Sequence, residues 1–289
     1  MLWKSPVRFS TFALFFCLFL SPVSVVAERV DSKDADFQPL FNSRDLQGWD
    51  VWLGASEVPP LPFKFWGEWE DVLGLNPVDQ SIFSVVEEDG EPALRISGEV
   101  WGALTTRESY RDYHLRLQYK WGEQKFAPRA DKPRNTGLLY HAVGSQGAFW
   151  SYWMRSAEFE IMEGSTGNLT SVDSVSGSVQ SRRDWSLPIP WLRYAKAGEP
   201  RVLGGLVFRM QAQQDLELPS GEWNDLELIV RGDSGRHLVN GVEVLVVENL
   251  RQPTDAGESP LLEGRLQLQS EGAEVFFRHI ELRELSAAE

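Results

Sequence analysis

Cysteine is nearly missing from this chain of 289 residues: the only one is Cys17. A single thiol excludes a disulfide scaffold and any metal site built on a cysteine pair. Positive charge is scarce as well. There are 28 Lys and Arg against 42 Asp and Glu, a net charge of −14. A nucleic-acid binder needs a basic footprint, so that class is excluded. Convincing helical periodicity is absent throughout. No Gly-rich phosphate loop, HExxH pair or GxSxG elbow occurs, which removes support for nucleotide and serine-hydrolase chemistry. Beyond the N-terminal segment, no stretch is long and apolar enough to cross a bilayer.

What is present is a large apolar fraction (42%) with 12 Trp, 24 Gly and 16 Pro. That suffices for a real core and is too much for a disordered chain. The first 27 residues stand apart. Lys4 and Arg8 precede an apolar run from Phe9 to Leu20, which Pro22 breaks, and Val25-Val26-Ala27 precede Glu28. This reads as a secretory signal peptide cut after Ala27. Phe15 and Phe16 lie before Cys17, where a lipoprotein signal has small residues. Cleavage removes Lys4, Arg8 and Cys17. Residues 28–289 then form one exported domain, periplasmic or secreted, cysteine-free and more acidic than the whole chain. It has no membrane attachment after the signal is cut.

Period-2 alternation dominates that domain. Between Tyr113 and Trp121, residues Tyr113, Leu115, Leu117, Tyr119 and Trp121 face one way, and His114, Arg116, Gln118 and Lys120 the other. This predicts a half-buried antiparallel strand. Similar strands are predicted at Gly137–Ala142, Ala157–Ile161, Asp225–Arg231, His237–Val239, Glu243–Val247, Arg265–Gln269 and Val275–Arg283. Asn240-Gly241 between two apolar runs marks a two-residue hairpin. The expectation is an all-β sandwich or jelly roll. Two stretches, Glu57–Asn76 and Ser181–Gly205, are expected as long loops ordered by their tryptophans.

The densest chemical constellation is Ala157–Glu163 (AEFEIME). As a strand it turns Phe159 and Ile161 inward and sets Glu158 and Glu160 together on the open face. Their Cα atoms then lie roughly 7 Å apart, two strand rises. Glycosidases use carboxyl pairs about 5 to 9.5 Å apart. Glu163 is out of phase unless a turn re-aims it. Alternation in Asn135–His141 (NTGLLYH) puts Asn135, Gly137, Leu139 and His141 on one side, with His141 a candidate base or ligand. The outward row Arg116, Gln118, Lys120 offers cations that line the same face if the strands share it. Trp66, Trp150 and Trp153 are candidates for stacking on sugar rings. Hard oxygen ligands are abundant enough for a divalent cation such as Ca²⁺. No ligand string of diagnostic spacing identifies one, so the metal stays unassigned.

Ordered motifs run through nearly the whole domain: Phe37–Trp49 (FQPLFNSRDLQGW), Gly102–Arg107 (GALTTR), Asn135–His141, Glu158–Gly167, Gly221–Asn224 (GEWN), Arg231–Gly241 and Gly264–Ile280. Together they resemble the 3-keto-disaccharide hydrolase domain family. The resemblance implies a concanavalin A-like jelly roll of two antiparallel sheets with a carbohydrate on one face. It implies hydrolysis of glycosides oxidised to a ketone at C3, so the expected ligand is an oxidised disaccharide or glycoside. The family pattern has Gln where this chain has Glu160, Asp where it has Ser165 and Asn168, and Asp-Ser-Gly for Asn135-Thr136-Gly137. Under the resemblance, Glu158 or His141 would take a proton from C2. Arg116 and Lys120 would stabilise the enolate, Glu160 or Glu163 would assist the leaving group, and Arg134 and Asn135 would hold substrate. An ordinary glycosidase using Glu158 and Glu160, and a non-catalytic carbohydrate-binding module, are the alternative readings.

Overall fold

The alternating segment around Tyr113–Trp121 is the centre of the larger of two sheets in the computed structural model, which describes Met1 and residues 36–55, 71–78, 81–186, 191–205 and 207–286. The proposed signal peptide, apart from Met1, lies outside the described residues, as does Trp66. Twenty strands occur among the described residues, with no α-helix. In chain order they begin with β1 (Gln38–Pro39), β2 (Trp49–Ala55), β3 (Val72–Leu75), β4 (Phe83–Glu88), β5 (Glu91–Ile96), β6 (Gly102–Thr106) and β7 (Tyr113–Lys125). Next come β8 (Asn135–Val143), β9 (Arg155–Met162), β10 (Leu169–Val172), β11 (Ser176–Asp184), β12 (Trp191–Tyr194), β13 (Glu199–Leu203) and β14 (Val207–Met210). The last are β15 (Asn224–Arg231), β16 (Ser234–Val239), β17 (Val242–Thr254), β18 (Gly257–Pro260), β19 (Arg265–Ser270) and β20 (Ala273–Glu284).

The larger sheet runs β12-β11-β17-β16-β15-β7-β20-β5-β4, with β1, β13 and β18 attached to β20, β11 and β17. The smaller runs β14-β10-β9-β8-β19-β6-β2-β3. Every predicted strand lies within an observed one. Asn240 and Gly241 take positive φ, 49° and 77°, between β16 and β17, as a hairpin turn of the primed type requires. The loop expected at Ser181–Gly205 is corrected: it carries the end of β11 together with β12 and β13. Those strands are short, and Pro and Gly interrupt them, so no alternation long enough to read survives in the sequence. Of Glu57–Asn76, residues 57–70 lie outside the described part, and Val72–Leu75 is β3.

Both sheets turn one side chain in two toward the shared core. Leu115, Leu117 and Tyr119 from β7 and Phe277 from β20 meet Leu104, Leu138, Phe159, Ile161 and Leu268 from the smaller sheet. Each is buried, and each such burial contributes about 1.5–3 kcal/mol. Along one edge the two sheets touch. Tyr194 N donates to Gln211 O (2.8 Å) and Gln211 N to Leu192 O (3.1 Å). The resulting parallel bridge between Arg193 and Gln211 joins β12 to the chain leaving β14.

His237 sits wholly buried in this core, stacked on Phe159 with ring centroids 4.1 Å apart. Its Nδ1–H donates to Gly167 O (3.1 Å) and its Nε2 accepts from the Tyr140 hydroxyl (3.1 Å). Burial holds its pKa down at about 4, outweighing the Gly167 bond that raises it. The unfolded chain protonates this ring near pH 6.5 while the folded chain resists. Stability from this group is therefore complete above about pH 6.5 and is lost as pH falls toward 4. His237→Phe keeps the stack but cannot titrate. It is expected to cost ~1–3 kcal/mol at pH 7 and to flatten the decline in urea midpoint between pH 6.5 and 4.5.

Candidate functional site

Strand β9 places the site. Ala157, Phe159 and Ile161 belong to the core, so Glu158 and Glu160 point from the opposite face of the smaller sheet. Both are buried, at 5% and 1% exposure. The ladders set Gln267, Leu139, Glu158, Thr170 and Arg209 in one row across β19, β8, β9, β10 and β14. Gly137 pairs with Glu160. A Cβ at Gly137 would collide with Glu158 Oε1 and Gln269 Oε1. The missing side chain is what admits the Glu158 carboxyl and the Gln269 amide above one strand.

The partners of the acids differ. Glu160 accepts from Arg209 Nη2 and from Asn168 Nδ2, the latter at 2.9 Å. A third acid, Glu271, follows β19 and pairs with Arg129 Nη1 at 3.3 Å, with the Asn135 amide donating to it. Among the described residues, none donates to the Glu158 carboxyl. Desolvation, then the charges of Glu160 and Glu271, raise its pKa well above the ordinary carboxylate value. Desolvation also raises Glu160, but Arg209 and Asn168 work against it. Of the two, the Glu158 carboxyl is held further above the ordinary value. With three carboxyls facing two guanidiniums, one proton leaves the cluster neutral.

An aromatic wall stands at one end of the row. Ala103, Leu139 and Val172 from the sheet pack with Trp101, Phe149, Tyr152 and Trp153, and Trp150 leans on the group. Trp101 stacks on Trp153 with centroids 6.0 Å apart, and Trp52 Nε1 donates to Ser151 O at 2.9 Å, tying the 149–153 segment down. Trp153 is fully walled in and Trp150 half-buried, so both shape this end of the face. Buried polar atoms without partners also gather on the face: Asn135 Oδ1, Gln269 Oε1, Thr170 Oγ1 and Trp153 Nε1. Unmet hydrogen-bonding capacity around a desolvated acid is what a polyhydroxylated ligand would satisfy.

Several expected residues lie elsewhere. Arg116 and Lys120 face outward from the larger sheet, with the core between them and Glu158. Arg116 pairs with Glu281 (2.7 Å), and Lys120 with Glu88 and with Asp89 (2.6 Å). Alternation tells inside from outside but not which sheet. His141 also leaves the row. A bulge between Tyr140 and Val143 and a positive φ of 52° swing it away. Its Nε2–H donates to Gly232 O at 3.0 Å, and burial depresses its pKa to about 4. Glu163 and Arg134 form an ion pair (2.8 Å), with Arg134 N donating to the same carboxylate (3.1 Å). They brace the turn after β9 rather than line the row. Asn135 does reach the cluster, through Glu271.

Arg209, Arg129 and Glu271 join the site without having been singled out by any sequence motif. Glu271 continues the outward phase of Gln267 and Gln269, a signal the sequence carries. Arg209 sits in a four-residue edge strand, and Arg129 in a loop, where no periodicity marks them. The donor set does not fit a divalent cation. Among the described residues no three His, Cys, Asp or Glu side chains converge on one point, and guanidiniums already neutralise Glu160 and Glu271.

A family model described as the 3-keto-alpha-glucoside-1,2-lyase-like domain matches residues 36–283. No curated protein matches the chain. Among solved structures, two Parabacteroides distasonis proteins provisionally assigned as glycosyl hydrolases resemble it. One is 16% identical, covering 89% of this chain and 99% of its own, with a TM-score of 0.49. The other is 17% identical, covering 72% and 92%, at 0.45. The carbohydrate-binding module CBM66 of Bacillus subtilis is 9% identical, covering 70% and 92%, at 0.37. Structural likenesses at these scores carry no argument about function.

Charge in the cluster leads to a stability prediction. A raised carboxyl pKa means the folded chain holds that proton more tightly than the unfolded chain. Stability is therefore full below the unfolded carboxylate value and declines as pH rises through the folded one. Glu158→Gln mimics the protonated form and escapes the decline. Its Tm is expected to match the parent near pH 4.5 and to exceed it by about 3 °C at pH 8, as measured by calorimetry.

Proposed function

The chain belongs to the 3-keto-alpha-glucoside-1,2-lyase-like domain family, a carbohydrate-processing family, and on that premise we propose that it cleaves 3-keto-glycosides with Glu158 as the proton carrier. The observation that carries the reading is Glu158 itself, a buried carboxyl without a donor among the described residues, in one row with Arg209 and beside Glu160. A ketone at C3 acidifies the C2 proton. Glu158, as carboxylate, takes that proton, and the C–H electron pair becomes the enolate. Arg209 and Arg129 are the cations near enough to the cluster to favour negative charge there, the role expected of Arg116 and Lys120 under the family resemblance.

The enolate then reforms the ketone. A C1–C2 double bond forms, the C1–O bond breaks, and the departing alkoxide takes a proton from water. The hydroxide left behind adds to C1, and Glu158 returns its proton to C2. The sum is hydrolysis with no proton unaccounted for. A carboxyl whose pKa lies well above the ordinary range suits this exchange, since a base poised nearer the working pH is the more effective one.

Glu158→Gln is expected to lower kcat/KM on a 3-keto-disaccharide by about a thousandfold while the fold persists. The corresponding unoxidised disaccharide is expected to remain intact. Saturable binding of the 3-keto sugar without product from the parent protein would instead favour a binding module. The acid limb of the kcat/KM profile should lie above the ordinary carboxylate range. Glu160→Gln removes a negative neighbour and frees Arg209, so the limb should move to lower pH. Export belongs to the same proposal: the mature N-terminus is expected at Glu28, and mass spectrometry of the secreted or periplasmic protein checks it.

A further inference from the structure

Most described tryptophans are buried or half-buried. Trp185 and Trp191 are the exposed ones, at 74% and 43%. Trp191 opens β12, on the edge where the two sheets meet. In a parallel pair, bridged residues share a face, and residues two steps away share it too. Arg193 is bridged to Gln211, so Trp191 and Arg209 stand level with each other on one face. The inward residues agree: Tyr194 and Met210 belong to the core, and Leu192 and Phe208 pack against it. The row from Glu158 through Thr170 to Arg209 therefore continues onto β12 at Trp191.

Neighbouring strands are about 4.8 Å apart, so three steps put the Glu158 and Trp191 Cα atoms roughly 14 Å apart. Side-chain reach narrows that span to the scale of two linked pyranose rings. The groups in between suit a sugar. Thr170 Oγ1 has no partner, and the Arg209 side chain is 33% exposed while it holds Glu160. Beside Trp191, Arg193 pairs with Asp184 at 2.7 Å and donates to Ala212 O at 2.7 Å. Those contacts fix the strand that presents the indole.

We propose that Trp191 is the platform for the second sugar ring of a disaccharide whose first ring lies at Glu158. The C–H face of a hexopyranose stacks on the exposed indole, while Thr170 and Arg209 meet hydroxyls between the rings. The site is thereby matched to disaccharides over glycosides of small alcohols. This assignment rests on the reading of Glu158 as the reacting end.

The test compares a 3-keto-disaccharide with methyl 3-keto-glucoside on purified parent, Trp191→Ala, Trp191→Phe and Trp185→Ala proteins. In Trp191→Ala the ratio of disaccharide KM to methyl-glycoside KM is expected to rise about tenfold. Phe should restore most of the preference, and Trp185→Ala should move the ratio less than twofold. An unchanged ratio in Trp191→Ala, or an equal shift in Trp185→Ala, overturns the platform even if both substrates turn over. If the parent turns over neither, calorimetric binding of the same two sugars replaces KM. A Trp191-dependent preference for the disaccharide then upholds the platform while the reaction falls. Binding of neither sugar overturns both.

Discussion

Three glutamates share one desolvated sheet face with two arginines, and that imbalance governs the site. Burial raises the pKa of all three, but Arg209 and Asn168 work against that rise at Glu160, and Arg129 with Asn135 does so at Glu271. Among the described residues, Glu158 has neither a cation of its own nor a donor. Its charged form must bear the loss of water and the repulsion of two neighbours, so a proton is the least costly partner available to it. A carboxyl shifted this far, next to carboxyls that have cations of their own, is arranged to exchange a proton.

The fold makes the imbalance possible. The sandwich core fixes Phe159 and Ile161 inward, which forces Glu158 and Glu160 outward without any freedom to rotate away. Gly137 clears the space above the adjacent strand, and the 149–153 segment walls off one end with aromatic rings. The opposite end of the row runs to the edge where the two sheets join through Gln211 and Arg193. A surface that would otherwise stop at the last strand of the smaller sheet is extended by a strand of the larger one. Acid, cation and aromatic ring then lie along a single line set by hydrogen-bond register.

Strands long enough to alternate are legible in the amino-acid sequence. The segments around Tyr113–Trp121, Ala157–Ile161 and Asp225–Arg231 can be read because period 2 persists over several residues. The outward pairing of Glu158 with Glu160 follows from the same rule. Short strands such as β10, β12 and β14 leave no such trace. Arg209 and Trp191 lie on two of them, so neither announces a role. His141 departs from expectation for a different reason. Strict alternation assigns it to the Glu158 face, but one bulge reverses every side chain beyond it.

The sequence by itself determined that the chain is an all-β sandwich, which side chains of each long strand leave the core as far as its first bulge, and that two carboxyls emerge together from β9. Those properties are local, fixed by residue spacing along a single strand. Only the tertiary structure decided which sheet each outward row belongs to. That put Arg116 and Lys120 on the far side of the core and brought Arg209, Arg129 and Glu271 to Glu158 from distant parts of the chain. Pairing between strands far apart in sequence depends on register and sheet order, and no periodicity within one strand encodes either.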